Sequence, residues 1–264
     1  MPSAGRRKGV QSIEIGQRVL QALASGPGTV PLGEVARLSG MSPSKAHAYL
    51  VSFIRAEMVV QDLPSGHYSL GPAAVRLGLA AIAQTDVIAA ARAAARRLVE
   101  ETGETAFLAV WGNHGPTVVH RTDGTTLAPL DIKVGTVMPA LTTSTGRVFV
   151  AFLPRATTAA VVERELAYQE TTASRGRTVG YDWDLIDKVR QRGIARVAGM
   201  FSSGLVGLSA PVLDHEGAAA LVVTAIGHMS AFDAGFDGAV ARALMAATRK
   251  LSQDLGFGAA EQGG

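Results

Sequence analysis

Residues 42–58, SPSKAHAYLVSFIRAEM, place side chains that bond to anions and base edges along one side of a helical repeat. Ser42 is a capping residue type, and Pro43 suits a first helical turn, where its missing N–H costs no hydrogen bond. Ala46, Leu50, Phe53 and Ile54 recur at i, i+4, i+7 and i+8 and predict a core-facing stripe. The other side shows Ser44, Lys45, Ala48, Ser52 and Arg55, with His47 on its flank. Short hydroxyls and a lysine at a helix start suit phosphate, because the free backbone N–H groups there also attract anions. A solvated amphipathic face is the plainer reading of the same pattern.

Catalytic chemistry has less to stand on. The chain holds no cysteine, which removes disulfides, thiol catalysis and cysteine-ligated zinc or iron–sulfur. Of its six histidines, none has a histidine or acidic companion at metal-ligand spacing. The serine elbow G-x-S-x-G, the dinucleotide fingerprint G-x-G-x-x-G and the phosphate loop G-x-x-x-x-G-K are all missing from the sequence. A scattered Ser–His–Asp set, Ser144 with His120 and Asp123, is the enzymatic alternative: a cofactor-free hydrolase or small-molecule-binding protein. No catalytic residue, cofactor or metal is expected.

The elements that position residues 42–58 come next. Ser12 is expected to cap a helix carrying Ile15, Val19, Leu20 and Leu23, which stops at residues 25–28. A short helix follows with Pro31 at its start, Leu32, Val35 and Ala36 inward and Gly40 at its end. After the third helix, residues 58–70 read as strand, turn at Pro64-Ser65-Gly66, and returning strand. Short helix, tight turn, helix and hairpin is the order of a winged helix-turn-helix, whose second helix fits the major groove of duplex DNA. In that setting the solvated-face reading of the third helix becomes the minority one.

Bulk properties agree with this. A chain of 264 residues is long enough for two domains. At 47% hydrophobic and 18% charged it is globular. No apolar run reaches membrane-spanning length and the basic N-terminus lacks a signal-peptide core, so a cytoplasmic protein that avoids membranes is expected. The first 84 residues hold eight basic and four acidic side chains, the remainder seventeen and eighteen. The basic excess thus lies in the first third, consistent with an anionic partner there.

"GEVARLSGMSPSKAHAYL" and "SGHYSLGPAAVRLG" resemble the IclR-type transcriptional regulators, and the resemblance runs from about Ser12 to Gly256. It implies an α+β chain: a flexible arm over 1–11 with Arg6, Arg7 and Lys8, a winged helix-turn-helix over 12–70, a linker and dimerisation helix over 71–85, a GAF-like effector-binding domain over 86–256, and a tail over 257–264. The helix from Ser42 to Arg55 becomes the recognition helix. Position and chemistry nominate Ser44, Lys45, His47, Tyr49 and Ser52 for the duplex, with Arg55, Gly66 and His67 adding backbone contacts. The family commonly has Lys-Ser-Thr-Ala-Tyr-Arg where this chain has Pro43-Ser44-Lys45-Ala46-His47-Ala48, so its operator sequence is expected to differ. Residues 71–86 are apolar on most sides and need cover, which predicts a homodimer and, by resemblance, a dimer of dimers on a palindromic operator.

Beyond residue 86 a helix to about Glu101 is expected to bury Val87, Ala91, Ala94 and Leu98 and to expose Arg92, Arg96 and Arg97. Then the period changes to two. Thr105, Phe107, Ala109 and Trp111 share one strand face, and "TVVHR" returns antiparallel. "TSTGRVFVAFLP" reads as a helix ending at Pro154, with further helices over 157–167 and 182–192. Two strands flank His215-Glu216-Gly217, and a last helix runs from about Asp237 to Leu255. The resemblance implies a sheet with helices, and an effector pocket between the sheet and the segment near Thr143, Ser144 and Gly146. Gly207 stands where the family often has cysteine, Thr224 and Ile226 where serines are frequent, and Met200 where an acid is common. Those departures predict a roomier, less polar pocket for a small hydrophobic effector, aromatic ones included, with Trp111 or Phe201 stacking and Thr143, Ser144, Ser209 and Arg147 as polar partners. Such a regulator would serve catabolic or transport genes.

Overall fold

The computed structural model describes residues 9–25, 28–84, 86–125, 132–173, 183–199 and 204–258. Arg6, Arg7, Lys8, Met200, Phe201 and residues 259–264 lie outside this set. The described residues fall into two compact units, the second spanning Asp86–Phe257. No helix among them is long and apolar enough to cross a membrane.

The first unit carries α1 (Gln11–Ala24), α2 (Leu32–Ser39), α3 (Pro43–Arg55), a hairpin of β1 (Val59–Gln61) and β2 (Tyr68–Leu70), and α4 (Pro72–Gln84). Val10, not Ser12, is the N-cap of α1, with no side-chain cap bond. Ser12 lies inside the first turn, where Glu14 supplies the charge that the helix dipole favours. Gly40 ends α2 in the left-handed region, φ 67°, and its N–H bonds back to Ala36 and Arg37. Ser42 Oγ accepts the Lys45 N–H and opens α3. Val19 and Leu23 of α1, Val35 of α2, Leu50 of α3 and the hairpin's Val59 and Tyr68 close one core. Ile54 departs from expectation and is 36% exposed. Each i+4 step rotates about 40° around a helix, so two steps from Ala46 carry Ile54 off the buried stripe.

The second unit is a five-stranded antiparallel sheet in the order β4-β3-β7-β6-β5, formed by β3 (Thr105–Gly112), β4 (Gly115–Thr122), β5 (Ala195–Ala198), β6 (Leu205–Leu213) and β7 (Ala219–His228). One face packs on α5 (Val87–Thr102) and α9 (Ala239–Asp254), through Ala91, Leu98, Leu108, Leu208, Val223 and Leu244. The other carries α6 (Ser144–Phe152), with α7 (Arg155–Ala173) and α8 (Trp183–Arg192) beyond it. Every residue of β6 is buried, as a strand covered on both faces requires. Two elements exceed the sequence reading. The edge strand β5 was not anticipated, and α7 extends well past residue 167.

Candidate nucleic-acid and effector sites

Helix α3 presents the nominated side chains unevenly. Ser44, Lys45, His47, Ser52 and Arg55 are exposed. Ser52 turns its hydroxyl back to the Ala48 carbonyl at 3.1 Å. Tyr49 instead lies half-buried with Phe53 over α1, where Gly16 leaves room: a Cβ at Gly16 would stand 3.0 Å from Phe53 and 3.5 Å from Tyr49. It packs α3 onto α1 and is not part of the exposed face. Beside α3, the Asp62 carboxylate is held below its usual pKa by hydrogen bonds from the Ser65 hydroxyl and backbone N–H. Gly66 adopts φ 71°, its N–H bonding the Asp62 carbonyl at 2.8 Å. These bonds shape the wing turn that carries Gly66 and His67. The wing is tied to the core by paired bonds between Val30 and Tyr68, 2.7 and 2.8 Å.

In the second unit most of the described residues nominated for an effector gather on the sheet face beneath α6. Register aligns Phe107, Thr224, Ser209 and Ala195 in one row across β3, β7, β6 and β5, and Thr105, Ile226, Gly207 and Val197 in the next. Thr143 caps α6, accepting the Gly146 N–H at 3.0 Å and donating to the Pro139 carbonyl at 2.7 Å. Gly146 is required by close approach, since a Cβ would overlap the Pro139 carbonyl and Ala140. From this first turn Ser144 and Thr145 reach down to the sheet. Ser209 donates to Ser144 at 2.8 Å, Ser209 and Thr224 lie 2.7 Å apart, and Thr145 and Thr224 2.8 Å apart. All four hydroxyls belong to fully buried residues. Beside them Phe107, Val118, Ile132, Met138 and Ile226 form an apolar cluster with Val197 at its edge. Hydroxyls and apolar wall thus share adjacent rows.

Arg147 is half-buried and donates from Nε to the Leu141 carbonyl at 2.9 Å. Trp111 stands apart. It lies four residues along β3 from Phe107, about 13 Å at strand rise, and tilts against Phe149 at 5.7 Å. Two contributors were missed in the sequence. Thr145 joins the hydroxyl group, and the Glu165 carboxylate of α7 accepts the Ala140 and Leu141 N–H groups at 2.6 and 3.0 Å, fixing the loop before α6. A threonine and a serine side by side at the start of an apolar helix were the readable signal for the first; a glutamate on a charged helix gave none for the second.

The enzymatic constellation does not form. His120 bonds Thr122 at 3.2 Å, and its pKa is lowered by burial and by Arg92 and Arg96 of α5. Asp123 pairs with Arg121 at 2.7 Å. Ser144 belongs to the hydroxyl group under α6, on the other side of the sheet.

A model of the bacterial transcriptional regulator IclR C-terminal domain matches residues 79–253, and one of the IclR helix-turn-helix domain matches 12–63. The chain is 29% identical to the glycerol operon regulatory protein of Streptomyces griseus, covering 95% of this chain and 98% of that protein. It is 30% identical to the HTH-type transcriptional regulator TtgV of Pseudomonas putida over 72% of each. The crystal structure of Pseudomonas aeruginosa HmgR superposes with a TM-score of 0.80 at 40% identity, covering 94% of this chain and 99% of that one. Matched over both of its units, and with regulators among its relatives, this chain belongs to the IclR family of bacterial transcriptional regulators.

Proposed function

We propose that the protein binds a palindromic operator as a dimer or dimer of dimers and releases or engages it in response to a small organic effector with an apolar, aromatic-sized body and one or two polar groups. The observation that carries the DNA half is the exposed face of α3, with Ser44, Lys45, His47, Ser52 and Arg55 beside a wing bearing Gly66 and His67. The effector half rests on the buried hydroxyls of Ser144, Thr145, Ser209 and Thr224 next to Phe107, Met138 and Ile226. Hydroxyls that satisfy one another without a ligand can re-bond to one at small cost, whereas a lone buried hydroxyl costs about 1–3 kcal/mol. Thr143, Gly146 and Gly207 shape this region, Met200 and Phe201 complete the nominated set, and Trp111 stands apart from it against Phe149. Relatives named as a glycerol operon regulatory protein and an acetate operon repressor support control of catabolic or transport genes for a small organic compound. The setting is cytoplasmic.

Selection of random duplexes by the purified protein at two salt concentrations tests this reading. Enrichment of a palindrome is the expected result. Lys45→Ala then lowers affinity across all sites and reduces the salt slope by about one. Sequence-blind binding, or a salt slope unchanged in Lys45→Ala, contradicts the assignment. With the operator in hand, compounds that raise the melting temperature of the wild type and not of Ile226→Asp identify the effector.

A further inference from the structure

We infer that the second unit carries a separate binding site for a small organic carboxylate, at the end of the sheet where α8, β6 and α9 meet. A cavity of about 250 Å³ opens there. Phe152, Pro211, Leu213 and Met245 give it an apolar floor, and Arg190, Arg192 and Arg249 stand around it with no acidic residue in the lining. None of the three guanidinium groups has an acidic partner among the described residues. Arg192 is held in place by stacking over the Phe236 ring at 4.9 Å, a ring that Arg196 also covers at 4.8 Å.

The dipole of α8 accounts for only two of these three arginines. Arg190 and Arg192 end α8, where positive charge suits the helix dipole. Arg249 comes from α9 and is not placed by that dipole. Three like charges around one concavity repel and focus a positive potential into it, which an anion relieves. A guanidinium fork matches a carboxylate in two parallel bonds, and the apolar floor adds affinity only for an anion with a hydrocarbon body. Pockets for drug-sized ligands run from about 300 to 1,000 Å³, so this smaller one takes a one- or two-ring acid. DNA is the poorer fit, because a flat phosphate backbone does not use an apolar concavity. The site is distinct from the hydroxyl group beneath α6: its β6 residues, Pro211 and Leu213, lie beyond Ser209 on the side away from Gly207.

Calorimetric titration of the full chain with 2-naphthoate and with neutral 2-naphthamide tests the inference. Three proteins are compared: wild type, Arg190→Gln/Arg249→Gln, and Thr224→Val, which alters the proposed effector region instead. Both arginines are exposed, so the double variant is expected to keep the wild-type melting temperature. The expected result is naphthoate binding at least tenfold tighter than naphthamide, weakened at least tenfold in the double variant and retained in Thr224→Val. Equal affinity for acid and amide, no naphthoate binding, or loss of binding in Thr224→Val alone overturns the site. So does a double variant that binds naphthoate as wild type does while losing affinity for random duplex, which would assign the arginines to phosphate. Failure of the duplex selection leaves these titrations readable, so the two proposals fail separately.

Discussion

At the scale of single residues, the first unit and the second place polar groups by different rules. On α3 the charged and hydroxyl side chains are solvated, and their worth depends on a partner. Under α6 they are buried and satisfy each other, so removing one leaves the rest short of a donor or acceptor. Glu104 follows neither rule. It is only 7% exposed, its Oε2 has no hydrogen-bond partner, and burial raises its pKa above the ordinary 4.5. A carboxyl with a raised folded-state pKa binds its proton more tightly folded than unfolded. Its stabilising proton uptake is complete below the ordinary value and is lost as pH rises through the folded one. Glu104→Gln therefore melts higher than wild type at neutral pH, and the gap narrows as pH falls through the raised folded pKa and is closed below about 4.5. Thermal melts across that range check it; a gap that is constant with pH would show that burial does not raise the Glu104 pKa.

At the scale of elements, periodicity made most of the molecule legible. The helices α2, α3 and α5 carry their buried residues where the 3.6-residue repeat put them, Ile54 of α3 excepted, and β6 and β7 read as long apolar runs because helices cover both faces. What the sequence hid is short or non-local. Strand β5 has four residues at a sheet edge, too few for alternation to register. The Tyr49 ring was misplaced because its neighbour is a glycine on another helix, invisible to any pattern within α3. Trp111 and Ile226 share a sheet face, yet register along the strands separates them, and register is a tertiary property. The close approach at Gly146 was also unreadable, although the residue itself was singled out by resemblance. Gly146→Ala forces the first turn of α6 away from Pro139 and Ala140. Overpacking of this kind costs about 1–3 kcal/mol, or roughly 2–10 °C in melting temperature. Because α6 carries Ser144 and Thr145, effector-induced stabilisation should shrink as well. Wild-type melting in Gly146→Ala would contradict the tight contact.

At the scale of the whole molecule, α4 exposes the apolar surface on which assembly would depend. Val75, Leu77 and Leu79 are 58, 61 and 62% exposed, and the helix has no acidic residue in its first turn and no basic residue in its last. Arg76 anchors it to the first unit through Glu57, 2.8 Å away, the described residues' single non-glycine case of positive φ at 56°. Val75 and Leu79 lie one turn apart on one side while Leu77 points elsewhere, so a single flanking surface cannot cover all three. A second copy of the helix can cover the side that carries Val75 and Leu79. Burying a leucine or valine side chain is worth about 1.5–3 kcal/mol, so charging both Val75 and Leu79 removes roughly 3–6 kcal/mol from such an interface. That loss raises a dimer dissociation constant by about a hundredfold to ten-thousandfold. Val75→Glu/Leu79→Glu should sediment as a monomer at concentrations where the wild type is a dimer. The monomer should stay folded, because both positions are solvent-facing within one chain, and its melting temperature should no longer depend on protein concentration. On a palindromic operator it should bind with half-site affinity, since two recognition helices then arrive independently. A variant that remains dimeric would move the assembly surface away from α4, leaving α3's face and the buried hydroxyls as they stand.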